Sequence, residues 1–286
     1  MRTLLTAAAL FAATAAQAQV AADPAATASA GYKPAATAPA KYPATRILIA
    51  SDSTAMTYAG NRYPQTGWGQ MLGCGLQPGT EVINRAIGGR STKSFIAEGR
   101  WDRLMEESKP GDTVLIQFGH NDASANKPER WAPAETVYRD SLLRMIWEAR
   151  GRGLTPVLVT PVARRSFGTD GKAKADFAAY SKVMRDLVAI TNVPLLDLEG
   201  RSRALLDTTG EAAAKKYYLH ITPEEKVAAF PKGLTDDTHF SELGARAMAD
   251  LVADELAKAN LPISSRVLAS RPDLTRAMPL GAARCR

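Results

Sequence analysis

Thr113-Val114-Leu115-Ile116-Gln117-Phe118, followed at once by Gly119-His120-Asn121-Asp122, is a short run of mostly apolar residues that breaks into glycine and small polar residues. A strand that is apolar at successive rather than alternate positions buries both faces, as strands do in a parallel sheet covered by helices on each side. Comparable runs lie at Arg46–Ala50 (RILIA), Thr80–Asn84 (TEVIN), Thr155–Thr160 (TPVLVT) and Val193–Leu198 (VPLLDL). Helix-period segments fall at about 67–76, 91–107, 134–151, 174–191 and 241–258. This alternation, with no internal repeat, predicts one three-layer α/β/α domain around a parallel sheet of about five strands. Right-handed crossovers then place the functional loops at the carboxyl ends of the strands.

The remaining composition narrows the class. The 286 residues are 45% hydrophobic and 23% charged, which is ordinary for a globular chain with a sizeable core. Two cysteines, Cys74 and Cys285, exclude a disulfide-rich scaffold and a four-cysteine zinc site, and three histidines leave little room for a histidine metal centre. Met1-Arg2, an apolar run to Ala16 and the small-x-small ending Ala16-Gln17-Ala18 make residues 1–18 a secretory signal peptide. The run is shorter than the roughly 20 residues a membrane anchor needs. Residues 19–44 hold eleven Ala and four Pro among 26 positions and read as a linker. The folded domain is expected over 45–261, followed by a basic, loosely attached tail over 262–286.

The mature chain is thus expected to be exported to the periplasm or the extracellular space, without a membrane partner, and to act as a monomer. Such a compartment permits a bridge between Cys74 and Cys285, whose geometry the sequence does not establish. The formal net charge of +7 belongs mostly to the ends, because positions 46–261 hold 28 basic and 27 acidic residues. It therefore points neither to nucleic acid nor to an acidic substrate.

Chemistry is sought at the strand ends. Ser51-Asp52-Ser53-Thr54 closes the first run, and Ser53 can be a nucleophile or one of several residues capping a following helix. Gly88-Gly89-Arg90-Ser91 follows the second run. Gly89 suits an amide donor to an oxyanion, or serves the turn alone. Asn121, after the third run, offers an NH2 donor or an Asx turn. Asp236-Asp237-Thr238-His239-Phe240 sits in a turn-rich stretch before the last helix, where Asp236, favoured by spacing, or Asp237 orients His239, or an Asp caps the turn and His239 is an ordinary surface residue.

Together these blocks resemble the SGNH, or GDSL-like, hydrolase superfamily, whose signature Ser, Gly, Asn and His match Ser53, Gly89, Asn121 and His239. With Phe118–Asp122, Pro161–Phe167 and Phe230-Pro231-Lys232-Gly233-Leu234, the chain is most similar to rhamnogalacturonan acetylesterases, from about residue 46 to 258. One departure is Ser51, where the family motif has Gly before Asp-Ser. The resemblance implies the flavodoxin-like α/β/α sandwich of that superfamily and a Ser53-His239-Asp236 triad. It also implies an oxyanion hole of Ser53, Gly89 and Asn121, and release of acetyl groups from galacturonic-acid residues of pectic polysaccharide. Such chemistry needs no metal or organic cofactor. Arg90, Arg164 and Arg165 lie on crevice loops and either pair with uronate carboxylates or are solvated surface charge.

His120 reads as structural, and His220 as lining the crevice or packing. Trp68 and Trp131 either stack on sugar or are half-buried. The same machinery also suits acetylated xylan, another acetylated sugar, or a lipid or thioester acyl chain. A non-catalytic carbohydrate-binding protein on the same fold is the other class. Gly-x-Ser-x-Gly, P-loop, Gly-x-Gly-x-x-Gly and His-Glu-x-x-His motifs do not occur.

Overall fold

The computed structural model describes residues 45–271 and 281–285; the expected signal peptide and linker lie outside the described residues. The chain divides into two units, Met1–Thr37 and Ala38–Arg286, and the first is likewise outside them. Strands β1 (Arg46–Ser51), β2 (Glu81–Asn84), β3 (Thr113–Gln117), β4 (Thr155–Val159) and β5 (Leu195–Leu196) form one parallel sheet in the order β2-β1-β3-β4-β5. The helices are α1 (Trp68–Met71), α2 (Thr92–Ala97), α3 (Arg100–Glu107), α4 (Arg139–Gly151), α5 (Ala178–Thr191), α6 (Leu198–Thr209) and α7 (Glu242–Lys258).

Ile47 and Ile49 of β1, Leu115 of β3 and Val157 and Val159 of β4 join one apolar layer with Trp68, Leu72, Met248 and Val252. Their neighbours Leu48, Ala50, Val114, Ile116 and Leu158 join the opposite layer with Phe95, Trp101, Leu142 and Met184. Successive side chains enter opposite cores, which is why the strands are apolar at nearly every position. Each fully buried Ile or Leu contributes roughly 1.5–3 kcal/mol of transfer free energy. The strand order reverses between β1 and β3, so the loops after β1, β2 and β3 open onto one crevice.

Local chemistry shifts several expected boundaries. The segment 91–107 is two helices, broken at Gly99, whose φ of 64° is left-handed. The 67–76 segment shortens to α1 and a 3-10 turn at Leu72–Gly75. The last strand keeps only two of its six expected residues, because the Asp197 carboxylate accepts from the Gly200 amide and starts α6 at Leu198. That helix is absent from the sequence reading.

The Asp236–Phe240 stretch, read as a loop, is strand. β6 (Tyr218–Ile221) and β7 (Leu234–Phe240) form an antiparallel hairpin separate from the five-stranded sheet. The segment from Pro262, read as loosely attached, is tied down where it is described. Ile263 is fully buried, Leu268 N–H donates to Gly75 O (2.9 Å), and the Arg271 guanidinium pairs with Asp250 and Asp254. Cys285 forms a disulfide with Cys74 across 211 residues of sequence. Burial and ion pairing, which leave no periodic signal in so short a stretch, account for the difference.

The hairpin is fixed to α7. Ser241 caps the helix by accepting from the Gly244 amide, and donates its hydroxyl to Lys216 O and its amide to Tyr217 O. A Cβ on Gly244 would lie 1.8 Å from Tyr217 O, so only glycine permits this approach. Gly244→Ala is expected to destabilise the domain by about 1–3 kcal/mol through overpacking. The expected reading is a lower urea midpoint with an unchanged slope.

Candidate active site

β1 ends at Ser51, and Asp52 turns the chain: its Oδ1 accepts from the Thr54 amide (2.9 Å) and hydroxyl (2.8 Å). No helix begins here, so Ser53 is not a cap; α1 starts at Trp68 with Gly67 before it. The Ser53 carbonyl accepts from Tyr58 Oη at 2.9 Å, which fixes the turn from outside. Ser51 stands where the family motif has glycine, and its buried hydroxyl donates to Gln117 Oε1 (2.7 Å), which also accepts from Trp68 Nε1 (3.1 Å).

The partner of Ser53 comes from β7. Leu219 pairs with Asp236 while the preceding Tyr218 pairs with Phe240, so Asp237, Thr238 and His239 form a bulge. In a regular strand residues three apart point to opposite faces. Here Asp236 Oδ1 accepts from the amides of Thr238 (2.7 Å) and His239 (3.0 Å), and this turn brings the ring of His239 back to Oδ2 (2.7 Å, to Nδ1). His239 Nε2 lies 2.9 Å from Ser53 Oγ.

Burial opposes ionisation of Asp236, but the hydrogen bonds from the His239 ring and from the His239 and Thr238 amides outweigh it and hold its carboxyl at about 2. An ionised carboxylate only accepts, which assigns the ring proton to Nδ1 and leaves Nε2 of the neutral imidazole to accept from the serine hydroxyl. Asp237, the other candidate orienter, is engaged elsewhere: its Oδ1 accepts from Arg165 Nη1 (2.9 Å) and lies 2.7 Å from His220 Nε2.

The candidate donors lie on the loops after β1, β2 and β3. A Cβ on Gly88 would sit 3.6 Å from Ser53 Cβ, so the β2 loop closes directly on the serine. Gly89 follows with φ of 80°, a left-handed conformation that favours glycine, and the Gly88 amide donates to Met56 Sδ (3.2 Å). Among the described residues neither the Ser53 nor the Gly89 amide donates to a protein acceptor. Asn121 is buried and spends one of its two N–H groups on Arg90 O (2.9 Å). Such a set can transfer an acyl group: hydroxyl, imidazole, carboxylate and N–H donors on the adjoining loops.

Around the site, His120 is buried with its ring 4.2 Å from that of Phe177, and burial pushes it well below the ordinary imidazole value. Asp122 Oδ1 accepts from the Thr92 amide and hydroxyl, and burial pushes its carboxyl up to about 7. Arg90 pairs with Glu98 and donates to Gly88 O; Arg165 pairs with Asp237 and Glu211; Arg164 lies over the Phe177 ring (4.9 Å). Trp68 is fully buried and cannot meet a sugar, whereas Trp131 is 41% exposed. Among the described residues no three or more His, Cys, Asp or Glu side chains are grouped to hold a metal ion.

Sequence reasoning passed over Tyr58 and Gln117. Gln117 alone left a signal, since an amide inside a strand buried on both faces requires a buried partner.

The GDSL-like Lipase/Acylhydrolase family model matches residues 52–247. A probable rhamnogalacturonan acetylesterase, YesY, of Bacillus subtilis (strain 168) is 40% identical over 80% of this chain and 100% of its own length. The rhamnogalacturonan acetylesterase RhgT of the same organism is 35% identical over 78% of this chain and 94% of its own. The crystal structure of protein YxiM, also from Bacillus subtilis, superposes with a TM-score of 0.64 at 26% identity, covering 75% of this chain and 56% of that one. The chain belongs to the GDSL-like lipase/acylhydrolase family and is a carboxylic ester hydrolase with its fold.

The double duty of Asp236 separates two substitutions. Asp236→Asn keeps an oxygen for the bulge amides, whereas Asp236→Ala removes it; thermal melts are expected to show the larger loss for Ala. The folded carboxyl sits below its ordinary value near 3.9, so its ionised form stabilises the fold above that value. That contribution is lost as pH falls from about 4 to about 2. Asp236→Asn is expected to flatten this part of the acid-unfolding curve.

Proposed function

We propose that this member of the family is an exported serine esterase that removes acetyl groups from pectic polysaccharide. The observation that carries the reading is the unbroken line from Asp236 Oδ2 through the His239 ring to Ser53 Oγ, at 2.7 and 2.9 Å. Ser53 Oγ attacks the acetyl carbonyl and passes its proton to His239 Nε2. The carbonyl oxygen, now an anion, accepts from the Ser53 and Gly89 amides and from Asn121 Nδ2. The intermediate collapses, the C–O bond to the sugar breaks, and the sugar oxygen leaves with the proton from Nε2. Water then gives a proton to the same nitrogen as its oxygen attacks the acetyl-serine carbonyl; the bond from that carbon to Ser53 Oγ breaks, Oγ takes the proton back from Nε2, and acetate leaves. Asp236 stays ionised throughout and stabilises the imidazolium of His239. The steps require no metal or organic cofactor.

Acetylated polysaccharide as substrate is supported by the two curated relatives, both named for rhamnogalacturonan acetyl groups. Export is supported by the leader pattern of residues 1–18, and by the Cys74–Cys285 disulfide, a bond that persists in oxidising compartments. A polymer too large to import suits an enzyme sent out to meet it.

Ser53→Ala is expected to abolish ester hydrolysis while the thermal melt stays that of a folded chain; retained activity would remove the serine from the mechanism. Asn121→Ala is expected to lower turnover on the order of a hundred- to a thousand-fold. Acetate release from acetylated rhamnogalacturonan is expected to exceed that from acetylated xylan and from a long-chain ester. Equal rates on all three would sink the pectin assignment, and no release from any would indicate a binding protein. The processed protein is expected outside the cytoplasm with Gln19 at its amino terminus, read by intact-mass measurement; a cytoplasmic chain that keeps Met1 would rule out export.

A further inference from the structure

One cation beside the donor cluster has no use in the mechanism above. Arg130 lies in the loop after β3, and a Cβ built on Gly89 would be 3.6 Å from its Nη1. Its guanidinium therefore stands next to the peptide assigned to the oxyanion. The loop that presents it is fixed at several points. The Arg130 and Trp131 amides donate to Lys127 O (3.1 and 2.9 Å), Ala132 N–H donates to Asp122 O (3.1 Å), and Lys93 Nζ donates to Pro128 O (2.9 Å). Tyr180 Oη donates to Ala132 O (3.1 Å) from α5.

The side chain is half-buried, and its Nε is enclosed without a hydrogen-bond partner. No carboxylate among the described residues lies within ion-pair distance of it. The neighbouring arginines differ: Arg90 is held by Glu98, and Arg165 by Asp237 and Glu211. Arg164 also has an enclosed Nε, but its guanidinium is stacked on Phe177. A guanidinium nitrogen enclosed without an acceptor is unfavourable, and a planar fork of donors beside Gly89 matches a carboxylate in two-point contact.

We infer that Arg130 binds the carboxylate of an acidic sugar at or next to the acetylated residue, and so selects uronate-containing esters over neutral ones. The inference rests on the esterase reading of Ser53 and His239 and specifies its substrate class. It concerns ground-state binding, so its loss raises KM more than it lowers kcat.

The test compares the full chain with Arg130→Gln and Arg130→Lys on acetylated rhamnogalacturonan, on the same polymer with its carboxylates methyl-esterified, and on p-nitrophenyl acetate. Arg130→Gln is expected to lose about 10- to 100-fold in kcat/KM on the free acid, mainly through KM, the worth of a charged hydrogen-bonded contact. Its rates on the methylated polymer and on p-nitrophenyl acetate are expected to match those of the unaltered chain. Arg130→Lys, which keeps the charge but not the fork, is expected to fall between the two. Equal loss on all three substrates, or no loss on any, would overturn the assignment. An unaltered chain that hydrolyses p-nitrophenyl acetate but not the acidic polymer would instead overturn the pectin reading, and this inference with it.

Discussion

The carboxylate of Asp236 is the interaction on which the site depends. One oxygen accepts two backbone amides and thereby folds the bulge of β7; the other holds the ring of His239. The same group thus makes the backbone irregular and uses the irregularity. Without the bulge, the strand's period of two would send residues 236 and 239 to opposite faces. With it, a strongly acidic carboxyl stands against one ring nitrogen and the serine against the other. The low value of this carboxyl follows from what it accepts, since burial alone would raise it.

The sheet supplies the rest. Because β1 lies between β2 and β3, the turns carrying Ser53, Gly89 and Asn121 are neighbours although they are far apart in sequence. Their floor is polar and only partly paired, since Asp52 Oδ2, Gln117 Nε2 and Asp122 Oδ2 are enclosed without a hydrogen-bond partner among the described residues. Gln117 receives Ser51 and Trp68, Asp52 receives Thr54, and Asp122 receives Thr92. Such buried bonds are each worth only about 1 kcal/mol net, yet leaving one unmade costs more. They act less as glue than as a constraint on how the three turns can be arranged.

Most of the sheet was legible because its physics is written at every position. β1, β3 and β4 bury both faces, so their apolar runs end within a residue or so of the observed strands, and α7 begins one residue after the expected start and ends where expected. The hairpin was not legible. Leu-Thr-Asp-Asp-Thr-His-Phe carries no apolar alternation, and its bulge is dictated by hydrogen bonds rather than burial. The helix Leu198–Thr209 was hidden because Asp197 ends a strand and caps a helix in one step. The residues of the site were readable as types in order, and Asp236 was preferred to Asp237 only by spacing; Arg165 and His220, which engage Asp237, supply the physical reason. Arg130 had no signature, since its position beside Gly89 is a property of two loops meeting.

The stitching of the hairpin to the start of α7 divides the catalytic apparatus by range of contact. His239 and its carboxylate are three residues apart and mature together as a local unit, while the contact from His239 to Ser53 spans 186 residues and exists only when the whole domain has closed. Long-range closures of this kind form late and are entropically expensive. The imidazole has its orienting partner within its own strand but has nothing to act on until the sheet is complete, so hydrolytic competence is a property of the finished fold.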